Sequence, residues 1–254
     1  ESSATCPHRP PADLSGAAAW AADQRLPFRF PLDDPGDGER PALVDFCGTR
    51  ERGSGLIYHA AEDFFQPPGT PVYAMADGSV SFSGPMGGYG WLVIVDHPQM
   101  NLYSLYGHLS PSRWQVEKGT VQQGDLLGYL GDDDENGGSA ENPLLPHLHL
   151  GIRAGQRADY PGAGEWRWQA GWIKPCPQDL GWLKPSAVIT GQEIPPGGFP
   201  EPAAGLVAKW GLELLFAAVY LIGGVCILVF AIRKNKPFVL VINGGLLIVA
   251  GWAF

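Results

Sequence analysis

The chain has 254 residues, which is enough for one sizeable domain with additional segments, and its formal net charge is −9. Residues 1–204 carry 13 Lys and Arg against 25 Asp and Glu, a formal charge of −12, whereas the sequence from Gly205 onwards is almost wholly apolar. Since binding to nucleic acid needs a basic surface that neutralises phosphates, this balance argues against a nucleic-acid-binding protein.

Residues 1–52 form a proline-rich segment with little periodicity. The prolines break every apolar run, so we expect an extended N-terminal arm that packs across a domain or a partner, with one short helix over 12–24. The first residue is Glu rather than Met, which we interpret as the result of signal-peptide removal, and an artificial start is the alternative.

The four cysteines are Cys6, Cys47, Cys176 and Cys226. Cys226 lies in the apolar tail and is expected to be unpaired, while one disulfide among the other three would suit an exported domain. We favour Cys47–Cys176 or Cys6–Cys47, and the sequence does not choose between them. No two cysteines have the Cys-x-x-Cys spacing of a zinc knuckle, which argues against a cysteine-based metal site.

From residue 53 to 190 the sequence changes to short apolar strands separated by glycine turns. This pattern predicts a mainly β domain with antiparallel pairing. Asp77-Gly78 predicts a tight hairpin turn between strands at 71–76 and 79–83. Further strands are predicted over 91–96 and 101–106, and a second hairpin over 116–131.

The acidic segment 132–138, Asp-Asp-Asp-Glu-Asn-Gly-Gly, has two interpretations. It superficially resembles a calcium-binding loop, but it lacks the alternating ligands, the downstream Glu and the flanking helices of an EF-hand. We therefore predict a solvated, mobile loop at the edge of a groove rather than a calcium site.

A tryptophan-rich segment and a linker follow. The tryptophans could stack on sugars or grip a partner, but we favour packing within the β domain or a position at a membrane interface. These residues are Trp166, Trp168, Trp172 and Trp182. The Pro- and Gly-rich residues 191–206 predict a linker.

Residues 207–254 carry two long apolar runs. The run 212–232 contains a single charge, Glu213, and at 1.5 Å per residue a helix of this length crosses a bilayer core of about 30 Å. The basic residues 233–236 separate it from a second run, 238–254, so we predict a C-terminal two-helix transmembrane hairpin. Its basic loop should face the cytoplasm, which places the N-terminal domain on the periplasmic or extracellular side of the cytoplasmic membrane. Glycines in both runs allow close packing against membrane-protein partners.

Histidines and one carboxylate form the pattern of a catalytic metal site. In the His-Leu-His motif at 147–149 the two imidazoles lie on one face of a strand, because side chains alternate. Upstream, His59 and Asp63 are four residues apart. Zinc sites that catalyse hydrolysis take three His, Asp or Glu ligands and leave one position for water, so one motif histidine would complete the set. His108 and the other motif histidine could then orient or deprotonate water.

Four ordered motifs resemble the lysostaphin-type zinc endopeptidases, also called the LytM family. They are His59-x-x-x-Asp63, the segment 68–78 (Pro-Gly-Thr-Pro-Val-Tyr-Ala-Met-Ala-Asp-Gly), Leu105-Tyr-Gly-His108-Leu-Ser and His147-Leu-His149. The resemblance covers about residues 55–155. The chain departs from the family at Ala61, where Gly is common, and in the residues on either side of the last motif, which puts its choice of substrate in doubt.

The resemblance implies a Zn2+ ion bound by His59, Asp63 and His149, with His108 and His147 as the catalytic pair that activates water and stabilises the tetrahedral intermediate. It also implies a substrate groove for peptidoglycan peptide, which the predicted topology places on the same side of the membrane as the domain. We therefore expect a membrane-anchored zinc endopeptidase. The alternative is a non-catalytic peptidase-like scaffold or accessory subunit of a membrane protein complex, which the long arm and the apolar tail favour.

Two further residues near these motifs are not assigned to the metal. His97 follows a predicted strand and is expected to be a structural hydrogen-bonding residue rather than a ligand. Glu62 lies beside Asp63 in the sequence but should point elsewhere if its neighbours bind the ion, so it receives no role.

Overall fold

The computed structural model describes residues 27–33, 45–53, 55–193, 195–197, 238–242 and 245–249. The chain divides into two compact units, Glu1–Pro200 and Glu201–Phe254, and each is described by itself. The strands of the first unit are β1 (Thr49–Arg52), β2 (Gly55–His59), β3 (Glu62–Phe65), β4 (Pro71–Tyr73), β5 (Gly78–Met86), β6 (Gly90–His97), β7 (Leu102–Leu109), β8 (Gly119–Val121), β9 (Leu126–Tyr129), β10 (His147–Ala154), β11 (Trp172–Ile173) and β12 (Trp182–Leu183). A short helix, α1 (Pro185–Ile189), follows them.

Antiparallel sheets make up the first unit, as the strand pattern predicts. The main sheet has the order β12-β10-β7-β6-β5-β8, and β3 pairs with β10 beside β12. A three-stranded sheet has the order β1-β2-β11, and β4 pairs with β9. The predicted class, mainly β with antiparallel pairing, is therefore confirmed.

Apolar side chains cover both faces of the main sheet. All eight residues of β7 are buried, and their side chains alternate between two clusters. Leu102 and Tyr106 pack into one cluster, and Tyr103 and Leu105 pack into the other. The neighbouring strand β10 is also buried over its first seven residues. A side chain on β10 is consequently fixed by close packing on every side.

Both predicted hairpins are wrong, although the strands themselves exist. Strand β4 pairs with β9 rather than with β5, and β8 pairs with β5 rather than with β9. A Cβ at Gly78 would lie 2.5 Å from the backbone oxygen of Asp96. Gly78 therefore permits the close approach of β5 to β6, whereas the sequence pattern had assigned it to a tight turn.

The described part of the predicted arm packs across the β domain. Phe28 and Leu32 are buried in the core. The Arg29 backbone donates a hydrogen bond to Met75 O (2.8 Å), and Tyr73 N donates to Pro31 O (2.8 Å). Residues 49–52 form β1, so the β domain begins earlier than the predicted boundary at 53, while the predicted helix over 12–24 lies outside the described residues.

Neither favoured disulfide forms. Cys47 is a free thiol, and Cys176 is disulfide-bonded. Burial and the nearby Asp45 carboxylate raise the pKa of the Cys47 thiol to about 12, so it stays protonated and unreactive at neutral pH. Both pairings proposed through Cys47 are therefore wrong.

In the second unit, an antiparallel pair is formed by β13 (Phe238–Ile242) and β14 (Gly245–Val249). The structure thus differs from the predicted second transmembrane helix over these ten residues, which are rich in Val and Ile and favour strands. No helix among the described residues is long and apolar enough to cross a membrane. The first predicted helix, 212–232, lies outside the described residues, and so does most of the predicted linker.

Candidate metal centre and active site

Strand pairing brings the His-Leu-His motif beside residues almost ninety positions upstream. Strand β10 pairs with β3 so that His149 lies opposite Asp63. Strand β2 ends at His59, which lies opposite Trp172 of β11. Two fully buried alanines at 60 and 61 connect β2 to β3, and this short corner sets His59 next to Asp63.

The three predicted ligands converge on one point. His59 Nε2 lies 3.1 Å from His149 Nδ1, His149 Nδ1 lies 2.9 Å from Asp63 Oδ1, and His59 Nε2 lies 3.4 Å from Asp63 Oδ1. Ligand atoms about 2.0–2.1 Å from a tetrahedral zinc ion are separated by roughly 3.3 Å, so this triangle has the size that zinc requires. The group is the one candidate metal cluster within the described part of the chain.

Aromatic packing orients the two ligand rings. Metal-binding histidines usually donate their second N–H to a carboxylate or carbonyl. Here His59 Nδ1 and His149 Nε2 are buried without a hydrogen-bond partner among the described residues. The His59 ring instead lies 4.8 Å from the Trp172 ring, and the His149 ring lies 5.3 Å from the Tyr89 ring. The fit to a metal therefore rests on the facing ligand atoms and on these ring contacts.

The other two predicted histidines lie beside the ligands, and their tautomers follow from their partners. His147 Nδ1 is 2.6 Å from the Leu145 carbonyl oxygen, and His108 Nδ1 is 2.7 Å from the Asn136 carbonyl oxygen. A carbonyl can only accept a hydrogen bond, so each Nδ1 carries the proton and each Nε2 of the neutral ring is an acceptor. The two ring centres are 4.3 Å apart, and His147 Nε2 lies 3.6 Å from Asp63 Oδ2.

Burial keeps the imidazoles of His108 and His149 neutral. It lowers the pKa of His108 to about 3, helped by the nearby His147 and His149, and it lowers the pKa of His149 to about 4. At Asp63 burial acts in the opposite direction, but hydrogen bonds from His149 and His59 outweigh it and hold the pKa of the carboxyl below its usual range. At neutral pH His149 is therefore uncharged and Asp63 is ionised, which are the charge states that a cation site requires.

His108 has a left-handed backbone, with a φ of +64°. This conformation is uncommon for a residue other than glycine, and it persists only where the surroundings enforce it. Backbone hydrogen bonds do so here: His108 N donates to Tyr89 O (2.9 Å), and Gly131 N donates to His108 O (3.0 Å). The backbone thus turns the His108 side chain towards His147 at the end of β7.

The acidic segment 132–138 positions His108, which the sequence did not indicate. Asn136 is fully buried, its carbonyl accepts the His108 hydrogen bond, and its side chain donates to Leu144 O (2.8 Å). Asp133 and Asp134 are exposed, as predicted for a solvated loop. The prediction is wrong at Asn136, because a loop that fills the space beside Gly131 and His108 must bury part of its own backbone.

The ligand cluster opens into a cleft of about 540 Å³. Sequence reasoning missed most of its walls, since several of the lining residues lie outside every motif. The residues that line the cleft include Arg50, Arg52, Tyr89, Arg167 and Trp172. Arg50 and Arg52 were assigned to the arm, and Arg167 lies in the tryptophan-rich segment. For Trp172 the prediction of packing within the domain is incomplete, because the residue packs on His59 and also lines the cleft.

His97 and Glu62 are structural, and neither belongs to the ligand cluster. His97 is fully buried, with Nδ1 2.7 Å from the Asp77 carbonyl oxygen and Nε2 2.8 Å from Ser104 Oγ, in line with its prediction. Glu62 accepts hydrogen bonds from the backbone N (2.6 Å) and the hydroxyl (2.9 Å) of Ser186. Glu62 therefore fixes the start of α1 against β3.

Part of the chain, including the candidate site, is similar to a known family of peptidases. Residues 57–161 match the model of Peptidase family M23. Over 95 residues the chain is 37% identical to the DD-carboxypeptidase/endopeptidase Mpg of Neisseria meningitidis, a match that covers 37% of this chain and 20% of that protein. Over 107 residues it is 35% identical to the cell division protein DipM of Caulobacter vibrioides, covering 42% of this chain and 15% of that protein. The chain therefore matches a fifth or less of the length of these relatives.

Solved structures of peptidases are also similar to this chain. A zinc-containing peptidase from Vibrio cholerae is 25% identical, with 51% of this chain and 37% of that chain covered and a TM-score of 0.39. Lysostaphin from Staphylococcus simulans is 29% identical, with 39% of this chain and 38% of that chain covered and a TM-score of 0.33.

Proposed function

Because residues 57–161 form a lysostaphin-type domain of Peptidase family M23, we propose that the chain is a membrane-anchored zinc endopeptidase that hydrolyses peptide bonds of bacterial peptidoglycan. The observation that carries the proposal is the triangle of ligand atoms from His59, Asp63 and His149, with His108 and His147 packed beside it. A relative that is named as a DD-carboxypeptidase/endopeptidase supports a peptide of the cell wall as the substrate.

The ligand set fits zinc chemistry. His59, Asp63 and His149 would hold the ion, and their burial limits the access of other ligands. The chemistry that zinc supplies in such a donor set is Lewis-acid activation: the pKa of water falls to about 7, and a carbonyl is polarised.

His147 is suited to the role of general base. Its Nδ1–H is engaged with the Leu145 carbonyl, so Nε2 can take a proton from the attacking water. The Asp63 carboxylate, 3.6 Å away, stabilises the imidazolium that results. The protonated His147 can then return that proton at Nε2 to the leaving amine.

His108 is suited to orienting the water and the developing tetrahedral centre. Burial holds its pKa at about 3, so the ring stays neutral, and Nε2 accepts a hydrogen bond rather than a proton at neutral pH. The Asn136 carbonyl on one side and the His147 ring on the other fix its direction. The two unligated histidines thus have different tasks.

We place the peptidase domain on the periplasmic or extracellular side of the cytoplasmic membrane. The proposal rests on the apolar run 212–232 and on the basic residues 233–236 that follow it. The apolar tail also provides a surface through which membrane-protein partners could associate with the enzyme.

Metal content and cleavage of peptidoglycan, measured on the full-length chain, test the function. We expect one zinc ion per chain in the parent protein, loss of zinc in His149→Ala, and retained zinc with a 10²–10⁴-fold lower turnover in His108→Ala. His8→Ala, a histidine outside the motifs, serves as the control and should match the parent. Stoichiometric zinc without release of peptide from any type of wall would reject the enzyme and leave the non-catalytic scaffold.

A further inference from the structure

One wall of the cleft carries positive charge that no carboxylate balances. Arg50, Arg52 and Arg167 line the cleft. Among the described residues, Asp63 supplies the one carboxylate of the lining, and that carboxylate is hydrogen-bonded to His149. The ion pairs of basic side chains other than histidine, among the described residues, involve Arg29, Arg113 and Lys184. In a chain with a net charge of −9, such a concentration of unpaired guanidinium groups is unexpected.

We propose that this arginine wall, formed by Arg50, Arg52 and Arg167, binds a carboxylate of the substrate peptide. The enzyme then selects peptides that carry a free acid near the scissile bond over the same peptides with that acid converted to an amide. The inference rests on the proposed peptidase function and adds the chemistry by which its substrate is chosen.

Strand register places two of the arginines on the same face as a ligand of the metal. Arg50 lies opposite Ile57 and Arg52 lies opposite Gly55 in the β1–β2 pair. Residues directly opposite each other share a face, and so do residues two apart along a strand. Arg50 and Arg52 therefore lie on the face of the three-stranded sheet that also carries His59.

Arg50 is held in an orientation that suits a carboxylate. Its guanidinium group lies 4.0 Å above the ring of Trp172, which itself packs on His59. A guanidinium group that lies on an aromatic ring keeps its N–H donors free at its edge, where they can bind both oxygens of a carboxylate. Trp172 thus connects the ligand His59 to the anion-binding wall.

The other two arginines contribute differently. Arg167 donates to Gly164 O (2.9 Å) and Trp172 O (3.1 Å), so it also fixes the start of β11, which carries Trp172. Arg52 is exposed, and its side chain forms no hydrogen bond or ion pair with another described residue, so its donors are free to bind a ligand. Arg52 is consequently the residue at which charge can be removed with the least effect on the fold.

Strand register also gives the backbone spacing between these arginines and His59. Ile57 and Gly55 precede His59 by two and four residues, and a strand rises about 3.4 Å per residue. Arg50 and Arg52 therefore lie roughly 7 and 14 Å from His59 along β2. A carboxylate bound by either arginine would therefore lie within a few residues of the scissile bond of an extended peptide.

Soluble peptide fragments of peptidoglycan, prepared with a glycan-cleaving enzyme, provide the test. One half of the preparation is left untreated, and in the other half the carboxylates are converted to amides with carbodiimide and ammonium. Cleavage by the full-length, zinc-loaded chain is measured for the parent and for Arg52→Gln, Arg50→Gln and the charge-preserving Arg52→Lys. Arg29→Gln is the matched control, because Arg29 pairs with Asp33 away from the cleft lining.

We expect amidation to lower kcat/KM of the parent about ten-fold, mainly through KM, as for the loss of one charged hydrogen bond. Arg52→Gln and Arg50→Gln should show a similar loss on untreated fragments and no loss on amidated ones, whereas Arg52→Lys and Arg29→Gln stay close to the parent. Equal cleavage of both preparations by the parent, or equal losses on both in the Gln variants, would overturn the inference while leaving the peptidase function intact.

A binding measurement separates the inference from the proposed function. If the parent cleaves neither preparation, the peptidase function fails, and titration calorimetry of the same fragments into the zinc-loaded chain still decides the role of the arginines. Tighter binding of untreated than of amidated fragments, lost in Arg52→Gln, supports the wall. Equal binding of both preparations rejects it.

Discussion

Replacement of His97 by Asn should remove a pH dependence of stability that this buried imidazole imposes on the fold. His97 is fully buried between β5 and β7, and burial lowers its pKa to about 4, against a model-peptide value of 6.5. In the neutral ring, Nδ1–H donates to the Asp77 carbonyl, so Nε2 has to accept from Ser104. An Asn side chain can keep the donor that faces Asp77 but cannot titrate.

The size and direction of the effect follow from these pKa values. Between pH 4 and pH 6.5 the unfolded chain binds a proton at His97 and the folded chain does not, so falling pH favours the unfolded state. The contribution is fully present above pH 6.5 and is lost as the pH falls to about 4. A difference of about 2.5 pKa units corresponds to about 3 kcal/mol of unfolding free energy.

Urea unfolding of the parent and of His97→Asn at a series of pH values between 4 and 8 measures this contribution. The parent should lose about 3 kcal/mol more than the variant between pH 7 and pH 4, although the variant is the less stable protein at pH 7 because of the smaller side chain. Other titrating groups cancel in the comparison. Curves that stay parallel over the whole range would refute a buried, neutral His97.

Three further changes test the site and its supports. Gly90→Ala should lower kcat about ten-fold and leave the zinc content unchanged. Gly90 has a φ of +64°, and a Cβ there would lie 2.5 Å from Glu135 O, next to the Asn136 carbonyl that fixes His108. An unchanged kcat would contradict this prediction. Glu62→Ala should lower the free energy of unfolding by about 2–3 kcal/mol, because the substitution removes the acceptor of both Ser186 hydrogen bonds. The zinc content should stay unchanged, and loss of zinc would instead make Glu62 part of the metal site. The protein at a free zinc concentration about 100-fold above Kd should melt roughly 5–10 °C higher than the protein from which a chelator has removed zinc, and re-addition of zinc should restore the higher melting temperature. A melting temperature that does not respond to zinc would exclude binding to the folded state.

The candidate site was readable from the sequence because its residues lie in short motifs on strands. The His-Leu-His pattern requires that His147 and His149 share a face, and β10 places them so. The motif order then indicated His59, Asp63 and His108 as partners, and the structure brings all five together. Their separate roles as ligands and catalysts stay predictions.

Strand partners could not be read in the same way. Alternation of apolar residues shows that a segment is a strand, but it does not record which strand lies beside it. Sequence neighbours were therefore paired by default, whereas β4 pairs with β9 and β8 pairs with β5 across longer distances in the chain. The pair β13–β14 shows a related ambiguity, since a short apolar run suits a strand as well as a buried helix.

Two parts of the site have no residue-type signature. The group that fixes His108 is the backbone carbonyl of Asn136, and any residue type supplies a carbonyl. The arginine wall is assembled from β1 and a loop more than a hundred residues later, so its members gain meaning only from the way the sheets pack. The negative net charge of the whole chain gives no indication of this local excess of positive charge.

Strand β10 has a partner along each edge, β7 on one side and β3 and then β12 on the other, while β1 is the outer strand of a different sheet. The proposed catalytic histidine and metal ligand on β10 and the two arginines of the proposed wall on β1 are therefore carried by separate strands. Substitutions on β1 can therefore leave the strand that holds His147 and His149 unchanged, because β1 pairs with β2 and not with β10. A variant library confined to β1 should change the preference among peptide fragments and leave the zinc content unchanged.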